Sequence, residues 1–322
     1  MQIVMEPWYL DYLFKVPYMD NLKSLPVLLI AFNRPILTRS ALQMIAKLKP
    51  EVLFFSVDGP RANFVDDFPN VNLCRNLIKE FEWECKIFTN FSIKNYGSGI
   101  WPYKSINWAF SKVDKLIIIE DDVFISEDFY RKSNELLDYY KDQREVFSIC
   151  ASNISDLEAT EQSNELFFSK YFSGWGWAIW KDRWEEYRFD ITNEPKIGFL
   201  KLLIVNNGNI FISLYFLINF YLIKQNRIQA WDYQINHLLF SSDKFVIKFK
   251  KNLSSNIGIG KDSTHTKYLP KIQVNTLDGL CDSKIHTTLM PEEEKKWRKS
   301  RARFILASWL LRIRNFEKNI TR

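Results

Sequence analysis

Three consecutive acids, Glu120, Asp121 and Asp122, follow directly on the apolar run Leu116, Ile117, Ile118 and Ile119. Such a run reads as a strand buried on both faces. Ligands of open α/β sheets bind at the carboxyl ends of strands. Carboxylates gathered there repel one another and lose hydration unless a cation sits among them. A hard divalent ion, Mn²⁺ or Mg²⁺, meets that need when one or two carboxylates and substrate phosphates share its shell. A solvated acidic turn is the plain alternative, and the strand in front weighs against it. The triplet therefore reads as a metal–diphosphate site.

A second acid, Asp232, lies between Trp231 and Tyr233. Partial desolvation there would raise its pKa and suit a general base. The competing role is N-cap of a helix running through His237. His265, beside Asp262 in the polar loop 251–266, reads either as a metal or phosphate contact or as a structural histidine.

Further polar residues follow apolar runs. Asn33 and Arg34 come after residues 27–32, and Asp58 after 52–57. Arg34 suits a phosphate or a helix start. Asp58 suits a nucleoside or, before Gly59, a turn. The two glycines of loop 95–101 allow close ligand approach, although the loop matches no phosphate fingerprint. Lys104 is in reach of a diphosphate or simply solvated. Residues 172–184 hold four tryptophans and two glycines. A single Trp belongs by default in a core. Closely spaced Trp and Gly fit a sugar-facing wall, so Trp175, Trp177 and Trp231 are candidate acceptor or sugar contacts.

The elements that must position these residues alternate. Strands are expected at 27–32, 52–57, 86–89 and 116–119. Helices are expected from Pro35 (buried face Leu37, Ala41, Ile45, Leu48), at 71–81, at 103–110 and from Ser126, the last with Phe129, Ser133, Leu136, Leu137 and Tyr140 on one face. Strands separated by helices imply a parallel, doubly wound sheet. After Cys150 the alternation stops. Residues 210–223 are apolar but too short to span a bilayer, and a buried helix is expected.

The chain has 322 residues, 47% hydrophobic and 25% charged, with a net charge of +6. One large domain or two closely joined ones fit that length. The mild basic excess, without an Arg/Lys-rich repeat, argues against a nucleic-acid partner. It suits anionic substrates or an anionic membrane surface. Cys74, Cys85, Cys150 and Cys281 lack metal spacing and read as reduced thiols. The first residues show no basic region followed by an apolar core, so a cytoplasmic location is expected. Residues 291–316 read as a basic amphipathic helix, suited to lying peripherally on anionic lipid or to packing on the domain.

The order AFNRP, SVDGP, NYGSG, IIIEDD with SEDFY, GWGWAIW, WDYQ and NLSSNIGIGKDSTHT, between about residues 26 and 266, resembles bacterial nucleotide-sugar glycosyltransferases of the GT-A fold. It is more distantly similar to the N-acetylglucosaminyltransferase that initiates complex N-glycans. IIIEDD and WDYQ are the specific parts. The resemblance implies an α/β, Rossmann-like GT-A sheet, with an N-terminal arm (1–24), a nucleotide-sugar half (25–150), an acceptor half (151–268) and a helical tail (269–322). It also implies a nucleoside-diphosphate sugar donor and a glycan or lipid-linked acceptor, as in surface polysaccharide synthesis. Asp122 would bind Mn²⁺ or Mg²⁺, Glu120 and Asp121 would hold donor nucleotide or groups behind the metal, Asp58 would contact the nucleoside, and Asp232 would be the base of an inverting transfer, with His265 near the metal. A sugar-nucleotide pyrophosphorylase would need a Gly-rich loop where this chain has FNRP. A non-catalytic carbohydrate-binding protein would need neither IIIEDD nor WDYQ.

Overall fold

A computed structural model of the chain describes residues 24–153, 166–228 and 230–258. The expected N-terminal arm before Ser24, the loop residues Asp262 and His265, Cys281 and the basic tail lie outside the described residues.

Strands β1 (Val27–Ala31), β2 (Val52–Val57), β3 (Lys86–Phe91) and β4 (Lys115–Glu120) alternate with helices α1 (Pro35–Leu48), α2 (Asp67–Asn76) and α3 (Gly97–Phe110). Next come β5 (Val123–Ile125), α4 (Glu127–Tyr139), β6 (Val146–Cys150), β7 (Leu166–Ser169), β8 (Trp177–Trp180) and the short α5 (Lys181–Trp184). Helices α6 (Phe199–Val205), α7 (Ile210–Lys224) and α8 (Asp232–Ser241) precede β9 (Phe245–Phe249) and β10 (Ser254–Asn256). The main sheet has eight strands in the order β3-β2-β1-β4-β8-β6-β9-β7. All but β8 and β7 run the same way, so the fold is a mostly parallel, Rossmann-like α/β sheet flanked by helices, as expected.

Alternate residues of the central strands face opposite cores, as the two-residue period of a strand requires. Leu29, Phe55 and Ile117 join α1, α2 and α4 on one side. Leu28, Phe54 and Ile118 join α3, α7 and α8 on the other. Ser126 caps α4 by accepting from the Phe129 N–H at 3.1 Å, and the expected face from Phe129 to Tyr140 is buried.

Register brings the chemistry together. Ile30 lies opposite Glu120 and Ala31 opposite Val57, so β1, β2 and β4 end at one rim. Antiparallel β8 pairs Trp177 with Ile118, which carries Gly174 to Gly176 to the same rim. β10 pairs with β5, and the Ile257 N–H donates to the Asp122 carbonyl at 2.9 Å.

Three expected elements differ. The helix expected at 103–110 starts at Gly97, and the one expected at 71–81 is α2 followed by a 3₁₀ turn, Leu77–Glu80. Residues 210–224 do form a helix, but only one side of it is buried.

Candidate functional site

Asp121 and Asp122 are 2% and 8% exposed, so the triplet is no solvated turn. The cation among them is the chain's own Arg34. Its guanidinium donates through Nη1 to Asp122 Oδ2 at 2.9 Å and through Nη2 to Asp121 Oδ1. Thr38, one turn into α1, donates to Asp121 Oδ2 at 3.3 Å. Arg34 reaches both acids because it follows β1, and β1 is the neighbour of β4. Burial pushes the Asp121 carboxyl up, and Arg34 offsets part of that rise. Nearby Asp121 and Asp122 hold the Arg34 guanidinium firmly protonated despite its burial.

One guanidinium does not balance three carboxylates. Burial pushes the Glu120 carboxyl up, and Asp122 and Asp121 push it further. Asp232 adds to that shift, which places the acid of WDYQ within electrostatic reach of the triplet. Asp232 is the first residue of α8, and its Oδ1 accepts from the Tyr233 N–H at 3.0 Å. It therefore sits in the first helical turn, one place past the cap position. Asn236 anchors this helix start, donating to the Asp232 carbonyl at 3.1 Å and accepting from the Phe172 N–H at 3.0 Å.

The tryptophans are mostly core. Trp177 is completely buried and Trp231 nearly so, with their rings stacked 5.7 Å apart. The Tyr187 hydroxyl donates to the Trp231 carbonyl at 2.9 Å. A Cβ on Gly174 would lie 3.2 Å from the Trp231 ring, so this glycine admits an indole where a sugar was expected. Trp177 and Trp231 are thus corrected from sugar contacts to packing. Trp175 is half-buried against the opposite core.

Asp58 also differs from expectation. Its carboxylate accepts from the backbone N–H groups of Gly59, Tyr96 and Gly97 at 2.8 to 3.1 Å, and from Asn95 Nδ2 at 3.1 Å. It is 2% exposed and closes the entry to α3 from the end of β2. Its oxygens are taken, so the turn-and-cap role replaces the nucleoside contact. Burial still carries its carboxyl up to about 6 against these donors. Asn33 donates to Asp67 Oδ1 at 2.6 Å, in a cluster completed by Arg61. The Lys104 ammonium lies 4.6 Å from the Tyr96 ring centroid. His237 is buried against Phe220, as a core histidine.

The donor set for a divalent ion is small. Among the described residues, no three His, Cys, Asp or Glu side chains converge as a metal cluster. One atom is nonetheless poised. Asp122 Oδ1 is buried without a hydrogen-bond partner among the described residues. A hard ion that shares its shell with substrate phosphates needs only one or two protein carboxylates. The residues present fit such an ion.

Sequence reasoning missed two contributors, Thr38 and Gly258, and the partners of a third, Arg34. Arg34 was expected at a phosphate or at a helix start; it does stand at the N-cap position of α1, and its pairing with the acids becomes visible only once β1 and β4 are neighbours. Thr38 carried no local signal. Gly258 packs so close that a Cβ there would lie 2.3 Å from Asp122 Oδ2. A cavity of about 470 Å³ lined by Asp114, Lys115, Asp138 and Trp180 lies at the opposite, amino-terminal end of β4. It holds none of the buried acids, and the chemistry points to the carboxyl rim.

No protein-family model matches the sequence, and no curated protein matches it. Among solved structures, the chain is similar to a 4-diphosphocytidyl-2C-methyl-D-erythritol synthase from Anaerococcus prevotii, at 6% identity and a TM-score of 0.35, covering 71% of this chain and 91% of that one. It is also similar to the glycosyltransferase GlyE of Streptococcus pneumoniae, at 12% identity and a TM-score of 0.33, covering 91% of this chain and 64% of that longer one.

Proposed function

We propose that this chain is an inverting glycosyltransferase that moves a sugar from a nucleoside-diphosphate sugar to a hydroxyl of a glycan or lipid-linked acceptor. One observation carries the reading: Asp232 stands within electrostatic reach of a buried acidic triplet at the carboxyl ends of parallel strands. A merely structural acidic turn needs no second acid, carried by another helix, within electrostatic reach.

In this reading Asp122 Oδ1, with donor phosphate oxygens and His265, would hold Mn²⁺ or Mg²⁺. When bound, the ion would supply positive charge against the departing diphosphate. Arg34 orients Asp122 and favours the charged form of Asp121 against burial. Asp232 accepts the proton of the acceptor hydroxyl as that oxygen bonds to the anomeric carbon. The bond from that carbon to the diphosphate oxygen breaks in the same displacement, which inverts the centre. Asn33, Lys104 and Glu120 are proposed around the donor, and Asp58 shapes its pocket by fixing α3. Trp175 remains the tryptophan proposed for the acceptor.

The test is a panel of nucleotide sugars screened by thermal shift with Mn²⁺, with Mg²⁺ and with a chelator, followed by transfer assays on the ligands that bind. A ligand that binds only the native state raises its stability with occupancy. The expected result is stabilisation by one class of donor that the chelator removes. A panel without any stabilising donor overturns the proposal.

A further inference from the structure

We propose that the outer face of α6 and α7 seats the protein on an anionic lipid surface. Helix α7 is apolar almost all round, a composition that normally means burial on every side. Here Ile212, Phe216, Phe220 and Ile223 are buried, with Phe216 and Phe220 against Phe240 and His237 of α8. The opposite side, Phe211, Leu214, Ile218 and Tyr221, follows the helical repeat and is exposed, Phe211 by 75%. Leu200 and Ile204 extend it across α6, which packs on α7. Scattered exposed apolar residues need no explanation, but a contiguous stripe across two helices marks an interaction surface.

Charge selects the occupant. From Pro195 to Trp231 the sequence has no Asp or Glu, while Lys196, Lys201, Lys224 and Arg227 flank the stripe. Glu194 does lie beside Lys224, whose ammonium donates to its carbonyl at 2.5 Å. The charged residues on α6 and α7 themselves, Lys201 and Lys224, are cations, and an apolar face on such helices matches an anionic bilayer. A second copy would meet it across a two-fold axis and set like charges against each other. The chain's own residues 291–322, with ten Lys and Arg against four Glu, would meet the same repulsion. No helix among the described residues is long and apolar enough to cross a membrane, so α7 would lie in the interface plane. This inference stands on the surface alone and does not depend on the transfer reaction.

The test is co-sedimentation of the full chain with vesicles of phosphatidylcholine, with and without phosphatidylglycerol. It is repeated for Phe211→Ser/Ile218→Ser, whose exposed positions leave the fold intact by circular dichroism. The expected result is binding to the anionic vesicles only, weakened by salt and reduced roughly tenfold or more in the double variant. Three results would overturn it: no binding by the wild type, undiminished binding by the variant, or a wild-type dimer that the variant dissociates.

Discussion

The Arg34 guanidinium bridges Asp121 and Asp122, 2.9 Å from Asp122 Oδ2, and so joins the end of β1 to the end of β4. Removing one partner of a largely buried pair leaves the other charge uncompensated. Arg34→Ala is expected to destabilise the fold by about 3 kcal/mol, the low end for a buried pair because Arg34 keeps 27% side-chain exposure. Arg34→Lys, which lacks the planar fork, should recover only part of it. Urea unfolding of both variants measures this, and equal stability of all three proteins would remove the bridge from the account.

Asp232→Asn and Asp122→Asn are expected to abolish transfer while the melting temperature stays within a few degrees of wild type. Loss of a positioned general base typically costs about 10²–10⁴ in rate. The assay is single-turnover transfer with the donor found in the screen. Donor affinity should survive in Asp232→Asn and fall in Asp122→Asn, which separates the two roles. Full activity in either variant would exclude that residue from the chemistry.

Asp58 carries a pH signature. Its carboxyl titrates near 6, above the ordinary 3.8, so the folded state holds a proton that the unfolded chain has released. The stability this group contributes is therefore fully present below about pH 4 and is lost as pH rises through 6. The stability difference between wild type and Asp58→Asn should move in that direction across the same window in paired denaturation curves. A flat difference would show that the N–H donors of the α3 entry cancel the effect of burial, and a difference of opposite sign that they outweigh it.

Gly258→Ala is expected to impair donor binding, because its Cβ would fall 2.3 Å from Asp122 Oδ2 and that carboxylate would have to leave Arg34. Ligand-induced thermal shift reads the effect directly. An unaltered shift would mean that this backbone yields freely.

Trp177→Ala should cost about 3–5 kcal/mol, as expected for deleting a buried Trp from a packed core. Trp175→Ala should cost less stability and act on acceptor KM. Chemical denaturation and acceptor kinetics separate the two.

The strands that deliver the acids were legible because each is an apolar run ended by polar residues, and β1, β2 and β4 stand where those runs do. The acidic triplet and Asp232 were legible for the same reason: charge beside apolar sequence is conspicuous. The start of α3 was not. Gly97, Gly99 and Pro102 read locally as loop, and the group that closes the helix entry, Asp58, lies about forty residues upstream, just past the end of β2. The tryptophans misled because composition alone does not separate a wall from a core. Strand β8, which buries Trp177, enters the sheet between β4 and β6, a placement no local pattern encodes.

That placement of β8 has a consequence for how the molecule comes into being. β4 pairs with β1 on one side but finds its second partner, β8, only after some sixty further residues have been made, and among the described residues β6 touches the first half of the sheet only through that same antiparallel strand. A ribosome that has released the chain up to Cys150 has therefore made every residue of the acidic triplet, while leaving the β8-facing side of β4 as an apolar edge open to aggregation. Fragments or chimaeras cut at that boundary inherit the same exposed edge.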